Sequence, residues 1–138
     1  MNTIDKNKTT LIPPRIGEYW EGQGGVYQGV MRGEDGAPDY FLLVHKDFDD
    51  VLNHSDAMQR ASEVEADGHK DYTLPTRYEL ALCFANRSEL FKKDWYWSST
   101  QRASDSGFAW VQSFDNGSQY DLLKVVSGRA RAVRRLDI

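Results

Sequence analysis

A chain of 138 residues, 40% hydrophobic and 28% charged, has the length and balance of one compact domain with a real core. Its formal net charge of −4 argues against general affinity for nucleic acid or an anionic membrane, although a local basic patch stays open. Aromatic content of 12% with 11 glycines leans toward strands, turns and irregular loops and away from a helix bundle.

Residues 1–14 read as a flexible N-terminal arm, which Pro13-Pro14 ends stiffly by restricting the backbone and removing two donors. The arm is polar and has no apolar signal core, and no run approaches membrane-spanning length. The expectation is a protein kept in the cytoplasm of a host cell or packaged into a virion. Residues 15–138 form the single domain. Ile16 to Gln28 is glycine-rich and carries Tyr19, Trp20 and Tyr27, which predicts a short strand, a loop and a second strand. Gly33 to Pro38 is a turn-rich loop. Tyr40 to His45 is continuously apolar until its last residue, the pattern of a strand covered on both faces.

Two helices follow. The first is predicted from His54 to Ala66, with Asn53 or Ser55 as N-cap, Gly68 just past its end, and a narrow stripe of Ala57, Met58, Ala61 and Val64. The second opens on Thr76-Arg77-Tyr78-Glu79, a capping box, and buries Leu80, Cys83 and Phe84 before Asn86. Phe108 to Phe114 alternates, with Phe108, Trp110, Gln112 and Phe114 on one side. Asp115-Asn116-Gly117-Ser118 supplies a tight hairpin to a return strand from Gln119 to Val126. Ser127-Gly128 turns into a final strand, Arg129 to Leu136. The fold class is α+β.

Four segments in this order carry a family likeness. They are Ile16-Gly17-Glu18-Tyr19-Trp20, Asp71 to Leu80, Trp95-Tyr96-Trp97-Ser98-Ser99-Thr100, and Arg129 to Arg135. Together they resemble a bacterial and phage domain of unknown function that also forms the C-terminus of a collagen-like adhesin. That family's pattern is D-W-R-L-P-T-x-x-E-L, then Y-W-S-S-T, then V-R-x-V-R. The likeness runs from about residue 16 to 136; at Asp71-Tyr72-Thr73 the chain departs from the family's Asp-Trp-Arg. The resemblance implies a C-type-lectin-like fold related to the formylglycine-generating enzymes. Such a fold has a mixed or antiparallel sheet, two helices, long irregular loops and paired terminal strands.

In a strand, Trp95 and Trp97 share one face. They either pack as core, with Ser98, Ser99 and Thr100 bonding the loop backbone, or join Tyr19, Trp20 and Trp110 in a platform for a sugar or a partner protein. The core reading is preferred, because the resemblance keeps this segment across differing partners. Attention then moves to the loops: Gly33 to Pro38, Gln101 to Gly107 with Arg102 and Asp105, and the hairpin tip at Asn116. The C-terminal arginines pose a similar choice. Arg129, Arg131 and Arg135 share one strand face and Arg134 takes the other. Arg131 and Arg135 could bind an anionic partner, but ion pairing with acids such as Glu79, Asp71 or Asp94 is preferred.

Signals for chemistry are poor. The single cysteine, Cys83, cannot form an internal disulfide and reads as a buried core residue. His45, His54 and His69 sit in no metal-ligand spacing, and Asp47, Asp49 and Asp50 lack the ligand series and glycine of a calcium loop. The calcium-dependent sugar motifs Glu-Pro-Asn and Trp-Asn-Asp are absent from the sequence. Gly22-Gln23-Gly24-Gly25 is followed by no phosphate-binding Lys-Ser/Thr pair. No cofactor is expected. The expectation is a non-enzymatic binding module, phage- or prophage-encoded, that meets a protein or glycan through its loops. The alternatives are an intracellular phage protein that blocks a host factor and, more weakly, a formylglycine-generating-enzyme-like oxidoreductase.

Overall fold

The apolar run Tyr40–Asp47 is the strand around which the larger sheet is built. Leu42, Leu43 and Val44 are 0%, 0% and 1% exposed, so neither of its faces meets water. A computed structural model describes residues 11–138; residues 1–10, most of the expected arm, lie outside the described residues. The strands are β1 (Tyr19–Trp20), β2 (Gly25–Met31), β3 (Tyr40–Asp47), β4 (Trp95–Gln101), β5 (Phe108–Ser113), β6 (Gln119–Leu123) and β7 (Arg131–Asp137). The helices are α1 (His54–Ser62) and α2 (Arg77–Arg87), the second followed by a short 3-10 turn, Ser88–Leu90. The strands make two antiparallel sheets, ordered β1-β2-β3-β7 and β4-β5-β6. The α+β class is therefore observed.

One sheet feature corrects the expectation. The C-terminal strand β7 pairs with β3, and the N-terminal strand β1 lies at the far edge, so the terminal strands do not pair. The physical reason is the two-sided burial of β3. It needs a bonded neighbour on each edge, and the β2–β3 hairpin supplies only one.

Element ends also differ from the sequence pattern. α1 stops at Ser62, where Glu63 bonds back to Arg60, and the following residues turn through Asp67-Gly68 (φ 51° and 81°) to bridge Ala66 with His69. Asn53 is the N-cap, accepting from the Asp56 amide. β6 ends at Leu123, whose carbonyl accepts from the Val126 amide. β7 opens at Arg131, because Gly128 bridges Leu52 and Arg129 bridges Tyr96 instead. The β5–β6 connection, residues 114–118, is closed by the Ser113 amide donating to the Ser118 carbonyl, with Gly117 at φ 83° against the Phe84 ring.

Three apolar clusters fill the interior. Ala57 and Ala61 of α1 meet Trp97, Ala109, Val111 and Ala132 in the first. Leu80 and Cys83 of α2 meet Leu42, Val44, Tyr96 and Val133 in the second. Trp20, Tyr27, Phe41 and Leu43 form the third, where Leu11 and Ile16 also pack.

Polar closure comes from the Thr76 capping box. Thr76 Oγ1 accepts from the Glu79 amide, and Glu79 Oε1 accepts from the Thr76 amide at 2.9 Å. The same carboxylate is 0% exposed and receives two Arg135 bonds at 2.7 Å and the Tyr40 hydroxyl at 2.6 Å. Burial pushes the Glu79 carboxyl up, but Arg135, Tyr40 and the Thr76 amide outweigh it and leave the group below its ordinary value. Burial also lowers His45 and His54 from 6.5.

Both depressions act in one direction. Each group adds stability above its unfolded pKa and loses it as pH falls through the folded one. Urea midpoints should therefore drop first as pH passes below 6.5, from the histidines, and again below 4.5, from Glu79. Glu79→Ala should cost about 3–5 kcal/mol at neutral pH, because it strands the Arg135 guanidinium. A flat midpoint between pH 7 and pH 4 would contradict the assignment.

Candidate functional site

Alternation along β4 sends its aromatics in opposite directions. Trp97 is fully buried beside α1, donates from Nε1 to the Leu52 carbonyl at 2.9 Å and meets the His54 ring edge-on at 5.1 Å. Tyr96 faces the α2 cluster; its hydroxyl donates to Asp47 at 2.8 Å and accepts from the Lys92 amide at 3.0 Å. After Trp97 the register breaks: Trp97 faces Val111, but Gln101 faces Ala109. Two extra residues are taken up on β4 there, and they come from the hydroxyl run. Ser98 Oγ donates to the Trp110 carbonyl at 2.7 Å, and Thr100 Oγ1 accepts from the Arg77 amide at 3.0 Å.

The bulge thus anchors the first residue of α2 over the outer face of β5. Arg77 Nε donates to Gln119 at 2.9 Å, and Gln119 returns a bond to the Arg77 carbonyl at 2.7 Å. Held this way, the guanidinium lies 3.6 Å over the Trp110 ring, with Tyr78 alongside. Arg77 has no carboxylate partner among the described residues. Further along the same face Arg102 sits 3.2 Å from Asp121 and 5.3 Å from the Phe108 ring. Asp121 faces Trp110 across the β5–β6 ladder. Tyr78 and Leu123 at the margins are 56% and 49% exposed. Tryptophan, tyrosine and arginine together are the residue types that carry most binding energy in protein interfaces.

Of the residues singled out from sequence, the fold brings together Trp110, Arg102 and Asp105, the last in the turn that leads from Arg102 to Phe108. The others are scattered. Trp20 and Trp97 are core, and Trp95 packs edge-on against Trp97 while covering Gly128. Tyr19 is exposed elsewhere and donates to Asp67, a bond that helps push its hydroxyl up to about 12. Asn116 caps the opposite hairpin tip, accepting from Ser118. Every C-terminal arginine has an internal carboxylate: Arg129–Asp94 at 2.9 Å, Arg131–Asp47 at 3.3 Å, Arg134–Asp71 at 2.7 Å and Arg135–Glu79 at 2.7 Å. Arg131 and Arg135, offered by the sequence as anion binders, thus carry internal partners. Arg77, Tyr78, Phe108 and Asp121 were not singled out. Their signals were present in the capping box, which puts Arg77 first in the helix, and in the alternation that paired Phe108 with Trp110.

Elsewhere two histidines bond to backbone carbonyls. His54 Nε2 lies 2.9 Å from the Ser98 carbonyl and His69 Nε2 lies 2.8 Å from that of Gly22. Cys83 is fully buried, and burial pushes its thiol up to about 12. Among the described residues no group of three or more His, Cys, Asp or Glu is placed to hold a metal ion, and no helix is long and apolar enough to cross a membrane. A groove of about 460 Å³ lies between His54 and Met58 of α1, Ser99 and Gln101 of β4, and Lys124-Val125 beyond β6. No family model matches this sequence, and no curated protein matches it.

Two measurements check these placements. Trp97→Ala should cost about 3–5 kcal/mol in equilibrium unfolding, as a large buried side chain removed from a packed core does. Cys83 should resist a thiol reagent in the native protein and react fully in denaturant; fast native labelling would mean the thiol is not where it is placed here.

Proposed function

We propose that the chain is a non-enzymatic binding module of C-type-lectin-like architecture, phage- or prophage-encoded, whose partner is a protein held on the face around Arg77 and Trp110. The observation that carries this reading is the Arg77 guanidinium stacked 3.6 Å from the Trp110 ring. It supports a protein partner over a glycan in a specific way. A pyranose would stack on an open aromatic face, and the guanidinium occupies that position. An arginine already ordered by stacking and by Gln119 also loses little entropy on meeting a partner. The buried, high-pKa Cys83 suits the core and does not suit thiolate chemistry, which supports a binding role over an oxidoreductase.

The test is capture from host-cell lysate in parallel with a glycan array, using the wild type, Arg77→Glu, and Tyr19→Phe as a distant control. A captured protein should fall about tenfold or more with Arg77→Glu and persist with Tyr19→Phe. Glycan hits indifferent to Arg77→Glu would overturn the reading. Hits from cytosol fit a blocker of a host factor; hits confined to the cell envelope fit an adhesin-like tip.

A further inference from the structure

Among the described residues the outer edge of the smaller sheet has no strand beside it, although its Leu123 carbonyl is taken by the Val126 amide. Among the described residues β6 pairs only with β5, and two bonds define which of its backbone groups face that strand. The Ser113 amide donates to the Ser118 carbonyl and the Lys124 amide to that of Gly107, both at 2.9 Å. Both pairs belong to the register that sets Phe108 opposite Leu123. Antiparallel pairs alternate between bonded and unbonded, so Tyr120 and Leu122 turn their amides to β5, while Gln119, Asp121 and Leu123 turn theirs outward. The β4–β5 ladder agrees: the Phe114 amide donates to the Asp94 carbonyl, placing the even-numbered residues of β5 toward β4.

Edges of this kind are usually blunted by lysine, proline or a bulge. Gln119-Tyr120-Asp121-Leu122-Leu123 has none of these, and its one charge is matched by Arg102. Beside the edge stand two guanidinium groups, Arg77 at Gln119 and Arg102 at Asp121. Gln119 and Asp121 are two residues apart, the repeat of one strand face. On the opposite face Tyr120 is 38% exposed. A second copy of this chain is a poor occupant. Antiparallel pairing centred on Asp121 would set Leu123 against Gln119, so a copy of β6 brings no carboxylate to Arg77.

From the reading of this face as a binding surface, we infer that β6 accepts an extended acidic segment of a partner protein as a fourth strand. Carboxylates on alternate residues of that segment meet Arg77 and Arg102, and its intervening apolar residues lie beside Tyr120.

The probe is a capped eight-residue peptide of alternating Val and Glu, titrated into the isotope-labelled full chain. Saturable binding with slowed amide exchange at Gln119, Asp121 and Leu123 is the expected result. The peptide with Lys for Glu, the peptide N-methylated on its pairing amides, and the Arg77→Glu/Arg102→Glu protein should each bind about tenfold or more weaker. Absence of binding, protection elsewhere, or equal binding of the Lys peptide would overturn the inference. So would protection of these amides without peptide, accompanied by a concentration-dependent dimer in sedimentation. Arg77-dependent lysate capture in any of these cases leaves the binding-module reading standing and removes only strand addition. Arg77-dependent glycan hits without peptide binding overturn the strand inference and move the partner to a glycan. Capture indifferent to Arg77 removes the site itself.

Discussion

The buried Glu79 carboxylate is the interaction on which the rest of this structure depends. It caps α2 through Thr76, receives both Arg135 bonds from β7 and takes the Tyr40 hydroxyl from β3. One fully buried anion therefore fixes the helix relative to two neighbouring strands of the larger sheet. Such a pair adds little net stability compared with apolar packing of the same volume. It does impose a geometry, because any other seating of α2 would leave a charge buried without its donors.

The remaining arginines of the last segment repeat this logic with more exposed carboxylates. Arg131 reaches Asp47 and stacks on Phe91; Arg134 reaches Asp71 and Gln23; Arg129 reaches Asp94. These partners sit at the end of β3 and on three connecting segments, between 35 and 111 positions away in the chain. The C-terminal segment thus works as a row of clamps on the long loops.

Against that background Arg77 stands apart. It is half-buried and well anchored, yet its bonds go to an amide and an aromatic ring rather than to an acid. The Ser-Ser-Thr bulge that holds it also shifts the β4–β5 register, so one local irregularity sets both the sheet geometry and the position of the guanidinium. The open edge of β6 lies on the same face, and the two features reinforce each other as an interaction surface.

Local physics was legible in the sequence. The capping box placed the start of α2, the continuous apolar run identified β3, the β5 alternation set Phe108 and Trp110 on one face, and the acid–arginine pairings of Glu79, Asp71 and Asp94 were anticipated. These depend on hydrogen bonds within one turn, on side-chain period, or on the cost of an unpaired buried charge, all of which short stretches of chain record. The neighbour of β7, the division into two sheets and the meeting of Arg77 with Trp110 were not legible. They join residues tens of positions apart, and only the packing of α2 against both sheets decides which of several equally apolar edges and faces come into contact.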